Sequence, residues 1–584
     1  MMNKAFLPIN RKYMEQLGWD APDFVYVTGD AYVDHPSFGT AIISRVLEKK
    51  GFKVAILSQP DWRSAKDFTE FGRPRLGFLV SSGNIDSMVA HYTVAKKRRG
   101  EDAFTPGAKP GKRPDRAVIV YSNRIREAYG NVPIIIGGLE ASLRRFAHYD
   151  YWDNKVRKSI LFDSQADLIS YGMGEKSITQ IAERLRQGED ISSITDVRGT
   201  CFALPSSKAP YTGVECPSYE NVVSSKREYA IAARIQLDEQ DAFRGKTVKQ
   251  KHGKFILVQN PPALPLDSDE LDEIYALPYT YNYHPDYKEG VPGLSEVKFS
   301  ITHNRGCFGA CNFCSLAFHQ GRFVTARSKE SILNEARLMT QMPDFKGNIN
   351  DVGGPTANFR IPSCHGQENR GLCKGKKCLA PVPCKNLKVD HSDYLDILRA
   401  LRELPKVKRV FIRSGIRYDY LLLDKNDEFL REMIKYHVSG QLRVAPEHCS
   451  NAVLDKMGKP HIEKYIEFSK KYMSLSQNAG KNQFLVPYLM SSHPGSTLKD
   501  AVDLARFLKK NNIRPEQVQD FYPTPGTVST AMYYTEMDPY TLEGVYVAKN
   551  PHEKAMQRAL LQYYKPENRR LVEEALNKLH IKSL

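Results

Sequence analysis

The chain has 584 residues, 41% of them hydrophobic and 10% aromatic, with ten cysteines and a net charge of +17 from 84 basic and 67 acidic side chains. That length exceeds one hydrophobic core and implies about three domains, and the composition excludes wholesale disorder. The basic excess permits an anionic partner such as RNA without establishing one, because the clusters KKRR (96–99) and KGKK (374–377) are short and the remaining basic residues are spread out.

The start MMNKAFLPINRKYMEQLGWD has no apolar signal region, and no window reaches the ~18 apolar residues of a membrane span. We expect a cytoplasmic protein with no membrane partner. In a reducing compartment clustered cysteines are metal ligands more often than disulfides.

Residues 1–200 alternate short apolar, β-branched runs with amphipathic stretches. FVYVTG (24–29), KVAIL (53–57), LGFLVSS (76–82), PIIIGG (133–138) and ADLISYG (166–172) read as strands; TAIISRVLEKKG (40–51) reads as a helix closed by glycine. Five such strands with helical crossovers predict an α/β domain with a doubly wound parallel sheet, whose ligand site would lie at the strands' carboxyl ends. Residues 201–294 carry a basic helical segment, a proline-rich stretch and an aromatic run, and we read them as a connecting region. Cys201 and Cys216 fall there without a partner motif, as inert buried cysteines do.

A second alternation occupies 295–530. Its strand candidates are VKFSIT (297–302), NINDVGG (348–354), VKRVFIRSG (407–415), GQLRVAP (440–446), QFLVPYLM (483–490) and VQDFYPT (518–524). Six parallel strands with crossovers predict a full or partial (β/α) barrel, with chemistry at the strands' carboxyl ends. Residues 531–584 read as a helical C-terminal extension.

Directly after the first barrel strand, HNRGCFGACNFCSL (303–316) places Cys307, Cys311 and Cys314 at CxxxCxxC spacing. Thiolates suit soft metals. Three of them fit a closed four-ligand zinc site poorly unless His303 or His319 completes it, whereas three around a cubane cluster leave one iron open for chemistry.

These residues, with Phe313, resemble the cluster loop of the radical S-adenosylmethionine (SAM) enzymes. The resemblance runs on through Asp351, Gly353 and Gly354, VAPEHCSNAVLDKMGKP (444–460), LVPYLMSSHPGST (485–497) and FYPTPGT (521–527), each after a strand. With DHPSFG (34–39) near the start and the cysteine insert CLAPVPCKNLKVDH (378–391), whole-chain organisation resembles the YgiQ-type family, with a methylthiotransferase-like core. What the resemblance implies is a partial (β/α)6 TIM-type barrel in which Cys307, Cys311 and Cys314 hold a [4Fe-4S] cluster and SAM chelates the fourth iron. Reductive cleavage of SAM would then give a 5′-deoxyadenosyl radical that acts on a substrate, an RNA base, a peptide or a small metabolite. The expected electron donor is of flavodoxin or ferredoxin type. Phe313 by the cluster, the carbonyls of Gly353 and Gly354, and Arg413 and Ser414 at the third strand's end are the expected SAM contacts; Arg417, Arg443 and Glu447 stand near neighbouring strand ends. The motif departs at Pro355, where the family carries an acidic residue.

Cys364, Cys373, Cys378 and Cys384, at Cx8Cx4Cx5C spacing, lie in an insert at 360–390 after the second strand. They form a candidate second metal site, for a second [4Fe-4S] cluster or zinc. Residues 20–200 resemble the flavodoxin-like, cobalamin-binding type of domain, but the ligating pattern DxHxxG is absent: His35 follows Asp34 directly and Gly39 lies one position too far. We therefore expect a cobalamin-free front domain. The reading from another class is a non-catalytic iron-sulfur or zinc protein that senses redox state or binds partners on the same scaffold.

Overall fold

The computed structural model describes residues 5–208 and 212–584, and two compact units divide them: residues up to 225 with 235–298 and 318–320, and residues 226–234, 299–317 and 321–584. No helix among the described residues is long and apolar enough to cross a membrane.

The first unit is built on β1 (Phe24–Thr28), β2 (Val54–Ser58), β3 (Gly77–Ser81), β4 (Ile134–Ile136) and β5 (Leu168–Ser170), paired in parallel in the order β2-β1-β3-β4-β5. Every residue of β1, β3, β4 and β5 is buried, as unbroken apolar runs predict for strands covered on both faces. Phe24, Leu47, Val54, Ile56, Leu79, Ile135 and Ile181 share one core cluster, and a fully buried side chain of that size contributes about 1.5–3 kcal/mol.

The sheet does not stop where the sequence pattern loosens. β6 (Thr200–Pro205) joins β5 antiparallel and is followed in space by β9 (Phe255–Gln259), β8 (Val248–His252) and β7 (Val214–Cys216), giving nine strands. Much of the stretch read above as a connecting region is thus an extension of the front sheet. Cys201 and Cys216 are buried on it, and burial pushes both thiols up to about 12.

Beside a short antiparallel pair, Asn304–Arg305 with Thr325–Ala326, the second unit carries six strands in the barrel positions: β10 (Ser300–Thr302), β11 in two pieces (Asn348–Ile349 and Asp351–Gly353), β12 (Arg409–Val410), β13 (Gln441–Glu447), β14 (Phe484–Ser491) and β15 (Gln519–Asp520). β10, β11 and β12 pair in parallel, as do β13, β14 and β15. Helices Lys329–Thr340, Ser392–Glu403, Ile462–Asn478 and Leu498–Lys510 lie between successive strands, the last opened by a Thr497 and Asp500 capping box. Beyond β15, helices Pro551–Leu561 and Arg569–Lys578 bury Met556, Leu560, Val572 and Leu576 against Val502 and Ala505 of Leu498–Lys510. This is the helical C-terminal region expected from the sequence.

Candidate metal centre

The cysteine loop is fixed from outside at several points. Gly306 holds a left-handed φ of +80°, and a Cβ there would stand 1.9 Å from the Phe323 carbonyl oxygen, so the position requires glycine. The Cys307 N–H donates to the Gly321 carbonyl at 3.1 Å. The Asn312 N–H donates to Met457 O at 2.8 Å, its side chain donates to Lys456 O at 2.9 Å, and its carbonyl accepts from the Ser529 N–H at 2.9 Å. Phe308, between the first two cysteines, stacks on Phe359 with centroids 3.7 Å apart, and Tyr420 closes the cluster edge-on. Phe313, half-buried, makes only an edge contact with His493 at 6.0 Å.

All three thiols are partly covered. Burial, with Cys311 and Cys307 alongside, pushes the Cys314 thiol up to about 12. Cations flank them. Arg417, 6% exposed, donates from Nη1 to the Cys311 sulfur at 3.6 Å and grips Asp419 with Nε and Nη2 at 2.8 and 2.6 Å. A Cβ on Gly309 would lie 2.5 Å from Arg417 Nη1 and 3.4 Å from the Cys307 sulfur, so a side chain there would push the guanidinium off the loop. Lys377 of the cysteine-rich insert donates from Nζ to the Ala310 carbonyl; burial, with Arg322 near, lowers its ammonium to about 8.

Gly353 and Gly354 end β11 in equally close quarters. A Cβ would meet Ser414 Oγ at 2.2 Å from the first and Asn304 Oδ1 at 1.7 Å from the second. Asp351 accepts the N–H groups of Arg413 (2.7 Å) and Ser414 (3.1 Å) and the Ser414 hydroxyl, so it shapes the loop after β12. The expected roles therefore separate: the Ser414 hydroxyl is engaged with Asp351, and the Arg413 side chain is exposed with its guanidinium 5.7 Å from the Phe411 ring centroid. At the end of β13, Glu447 is 6% exposed at φ +68°, with Lys459 Nζ 3.8 Å from its carboxylate; burial raises its pKa. Arg443, on the same strand, is exposed.

The four cysteines of the second group differ in their surroundings, although the Cys384 N–H donates to the Cys378 carbonyl at 2.9 Å. Cys373 and Cys384 are exposed and Cys364 is half-buried, while Cys378 packs with Cys307 against Phe308, Phe359, Leu379 and Tyr420 and lies 3.3 Å from Ser363 Oγ. Among the described residues no three His, Cys, Asp or Glu side chains converge to hold one metal ion. Thiolates of a cubane each bind a different iron, so its ligands stand further apart than those around one zinc. Of the histidines weighed as alternative ligands, His303 is occupied: its ring lies between the Ala357 carbonyl at 2.9 Å and Arg360 at 3.1 Å.

In the first unit, the crevice between β1 and β3, where the chain changes direction along the sheet, is filled by charged side chains. Arg113, fully buried, bridges Asp30 at 2.9 Å and Asp102 at 3.0 Å and donates to Ser82 O at 2.8 Å. A Cβ on Gly83 would stand 2.1 Å from Asp30 Oδ1. His35 is fully buried; its Nδ1 accepts the Ser37 N–H at 3.1 Å and its ring meets Tyr281 edge-on.

Sequence reasoning missed Asp419 and Lys377. Lys377 sits in a basic run that reads as a solvated face, and only its neighbour Cys378 marks it.

Family models described as Radical SAM N-terminal, Radical SAM superfamily and a domain of unknown function (DUF3362) match residues 6–300, 301–522 and 516–582. A UPF0313 protein of Clostridium botulinum (strain Loch Maree / Type A3) is 58% identical over 586 residues, covering 100% of this chain and 91% of its own. One of Clostridium perfringens (strain SM101 / Type A) is 56% identical over 582 residues, covering 99% and 88%. Among solved structures, the radical SAM methyltransferase TsrM from Kitasatospora setae aligns at TM-score 0.48 and 13% identity over 86% of this chain and 74% of its own. The cobalamin-dependent SAM radical enzyme OxsB aligns at 0.46 and 12%, over 96% and 62%.

Proposed function

This chain belongs to the UPF0313 family of radical SAM proteins, and from that premise we propose that it cleaves SAM reductively at a [4Fe-4S] cluster held by Cys307, Cys311 and Cys314. The observation that carries the reading is the loop itself: three thiols within eight residues, with the Arg417 guanidinium on the Cys311 sulfur and close against Gly309. The donor set fits the group, since thiolates carry negative charge and Arg417 and Lys377 supply positive charge beside them. When bound, such a cluster with SAM supplies the 5′-deoxyadenosyl radical that removes a hydrogen atom from substrate.

The chain's own residues do the rest. Phe308, Phe359 and Tyr420 give the loop an apolar wall that excludes water from one side. Of the two glycines at the end of β11, Gly353 already accepts the His303 N–H at its carbonyl at 2.9 Å, so Gly354 is the one that offers a backbone carbonyl, at a strand end where no acidic side chain follows. Arg417, with one N–H on sulfur and two on Asp419, fixes the loop and offsets thiolate charge.

The front domain, in this proposal, holds no cobalamin. His35 is enclosed in the fold, and the crevice at the sheet's switch point is occupied by Asp30, Arg113 and Asp102.

The deciding experiment is anaerobic reconstitution with iron and sulfide, reduction with dithionite, and assay of 5′-deoxyadenosine from SAM for wild type and Cys311→Ser. Nucleoside from wild type alone supports the proposal. An intact cluster that forms none and whose EPR spectrum SAM leaves unchanged would favour the sensor reading, whereas a spectrum that SAM changes would mean that substrate must bind first.

A further inference from the structure

Part of the cysteine-rich insert lies on the cluster loop. Arg322, which follows that loop, donates to the Lys376 carbonyl at 2.9 Å and to the Cys373 carbonyl at 3.4 Å. The Tyr420 hydroxyl donates to Lys388 O at 3.0 Å, and Leu379, Leu387 and Val389 pack with Cys307 and Cys378 on one apolar cluster. Between these anchors Lys377 reaches inward. Its stem runs over Gly458, where a Cβ would stand 2.4 Å from Lys377 Cε, and its Nζ ends on the Ala310 carbonyl, inside CFGAC. Gly458 closes the helix Asn451–Met457, and that same turn receives Asn312 of the cluster loop, so the lysine is threaded between two loops that already hold each other.

The charge balance here has a gap. Lys377 has no carboxylate within ion-pair distance among the described residues; its Nζ ends on the residue next to Cys311 and Cys378 follows it in the chain, while Arg322 and Arg417 oppose its charge. A covered cation without a carboxylate is costly unless another anion offsets it. We infer that Lys377 is a positioning residue for the cluster: its ammonium holds the CFGAC turn through Ala310 and offsets the negative charge of a thiolate-bound cluster beside Cys311, which raises the cluster's one-electron reduction potential. The inference rests on the cluster reading above and extends it to the insert.

The test is an EPR-monitored redox titration of reconstituted full-length protein, wild type against Lys377→Met, Lys377→Gln and Lys377→Arg, with iron content measured in parallel. Gln keeps a donor for Ala310 O without charge; Arg keeps the charge. The expected result is a negative shift for Met and Gln of about tenfold in the reduced-to-oxidised ratio at fixed potential, about 59 mV for one electron, with Arg near wild type. Iron retained by wild type and Arg but lost from Met and Gln supports the same role. The inference is overturned if Gln or Met carries a cluster at the wild-type potential, or if Arg loses iron as fully as Met does. Wild type that assembles no cluster would remove the cluster reading itself.

Discussion

The Arg417 guanidinium bridges the Cys311 sulfur and the Asp419 carboxylate, donating to the first at 3.6 Å and to the second at 2.8 and 2.6 Å. Both charged residues are buried, and burial alone would disfavour their charged forms; each holds the other charged, with Arg417 raised and Asp419 lowered. One partner without the other leaves an unpaired charge in the interior, which costs about 3–5 kcal/mol.

Arg417→Met should therefore lower stability to urea by about that amount, and Asp419→Asn added to it should recover a large part. Iron per chain after reconstitution should fall in both, because neither restores the cation on Cys311. A double variant as unstable as the sum of its single variants would show that the pair is not the unit described here.

Gly309→Ala tests the loop from the other side. The backbone there is not left-handed, so the new methyl acts through its contacts, 2.5 Å from Arg417 Nη1 and 3.4 Å from the Cys307 sulfur. Cluster content should drop by at least half, with the fold retained by circular dichroism. Gly544→Ala, whose Cβ meets nothing within 4 Å, is the control and should load iron as wild type does.

The contrast between Cys307 and Lys377 shows where sequence reading stops. A thiol triplet is informative by spacing alone, and the front strands announce themselves because parallel strands covered on both faces are continuous apolar runs. β8 reads VKQKH, yet Lys249, Gln250 and His252 are buried. Their partners lie far along the chain: Lys249 pairs with Glu215 at 2.6 Å, and the Gln250 side chain accepts from Ala147 N and donates to Pro217 O. Periodicity carries no trace of such pairing. The same holds for Lys377, whose covered position depends on Gly458 and Ala310, and for Arg417, whose partner on the metal side is a cysteine in a different loop.

Hydroxocobalamin titrated into the purified protein should leave its absorption bands unshifted, and His35→Ala should change nothing. The His35 ring is fully buried and packed edge-on against Tyr281, and the switch-point crevice is closed by Asp30, Arg113 and Asp102. Arg113→Met would uncover that crevice only by leaving two buried carboxylates without their cation, so its first consequence should be a loss of about 3–5 kcal/mol in stability. A band shift with wild type that His35→Ala abolishes would show that the enclosed histidine opens to ligate cobalt.

Acid should unfold the protein well before its carboxylates are protonated. Burial holds His148, His252, His437 and His448 down to about 4, and His35 and His493 to about 3. The unfolded chain takes up these protons near pH 6.5, while the folded chain resists them. Their contribution is therefore fully present above 6.5 and is lost as pH falls toward 4, at up to about 1.4 kcal/mol per histidine per pH unit. Three of them lie in each compact unit, and what each set loses by pH 4 is comparable with the roughly 5–15 kcal/mol that holds a domain folded, which raises the acid transition of each unit above the pH that carboxylates alone would set. His437→Gln isolates one term, since this ring is fully buried and donates from Nδ1 to the Val410 carbonyl at 2.8 Å, remote from the cysteine loop in sequence. The slope of urea stability against pH between 5 and 6.5 should fall by about one proton in this variant. An unchanged slope would mean that His437 is already protonated in the folded protein, and that its enclosure between β12 and the turn before β13 does not persist in solution.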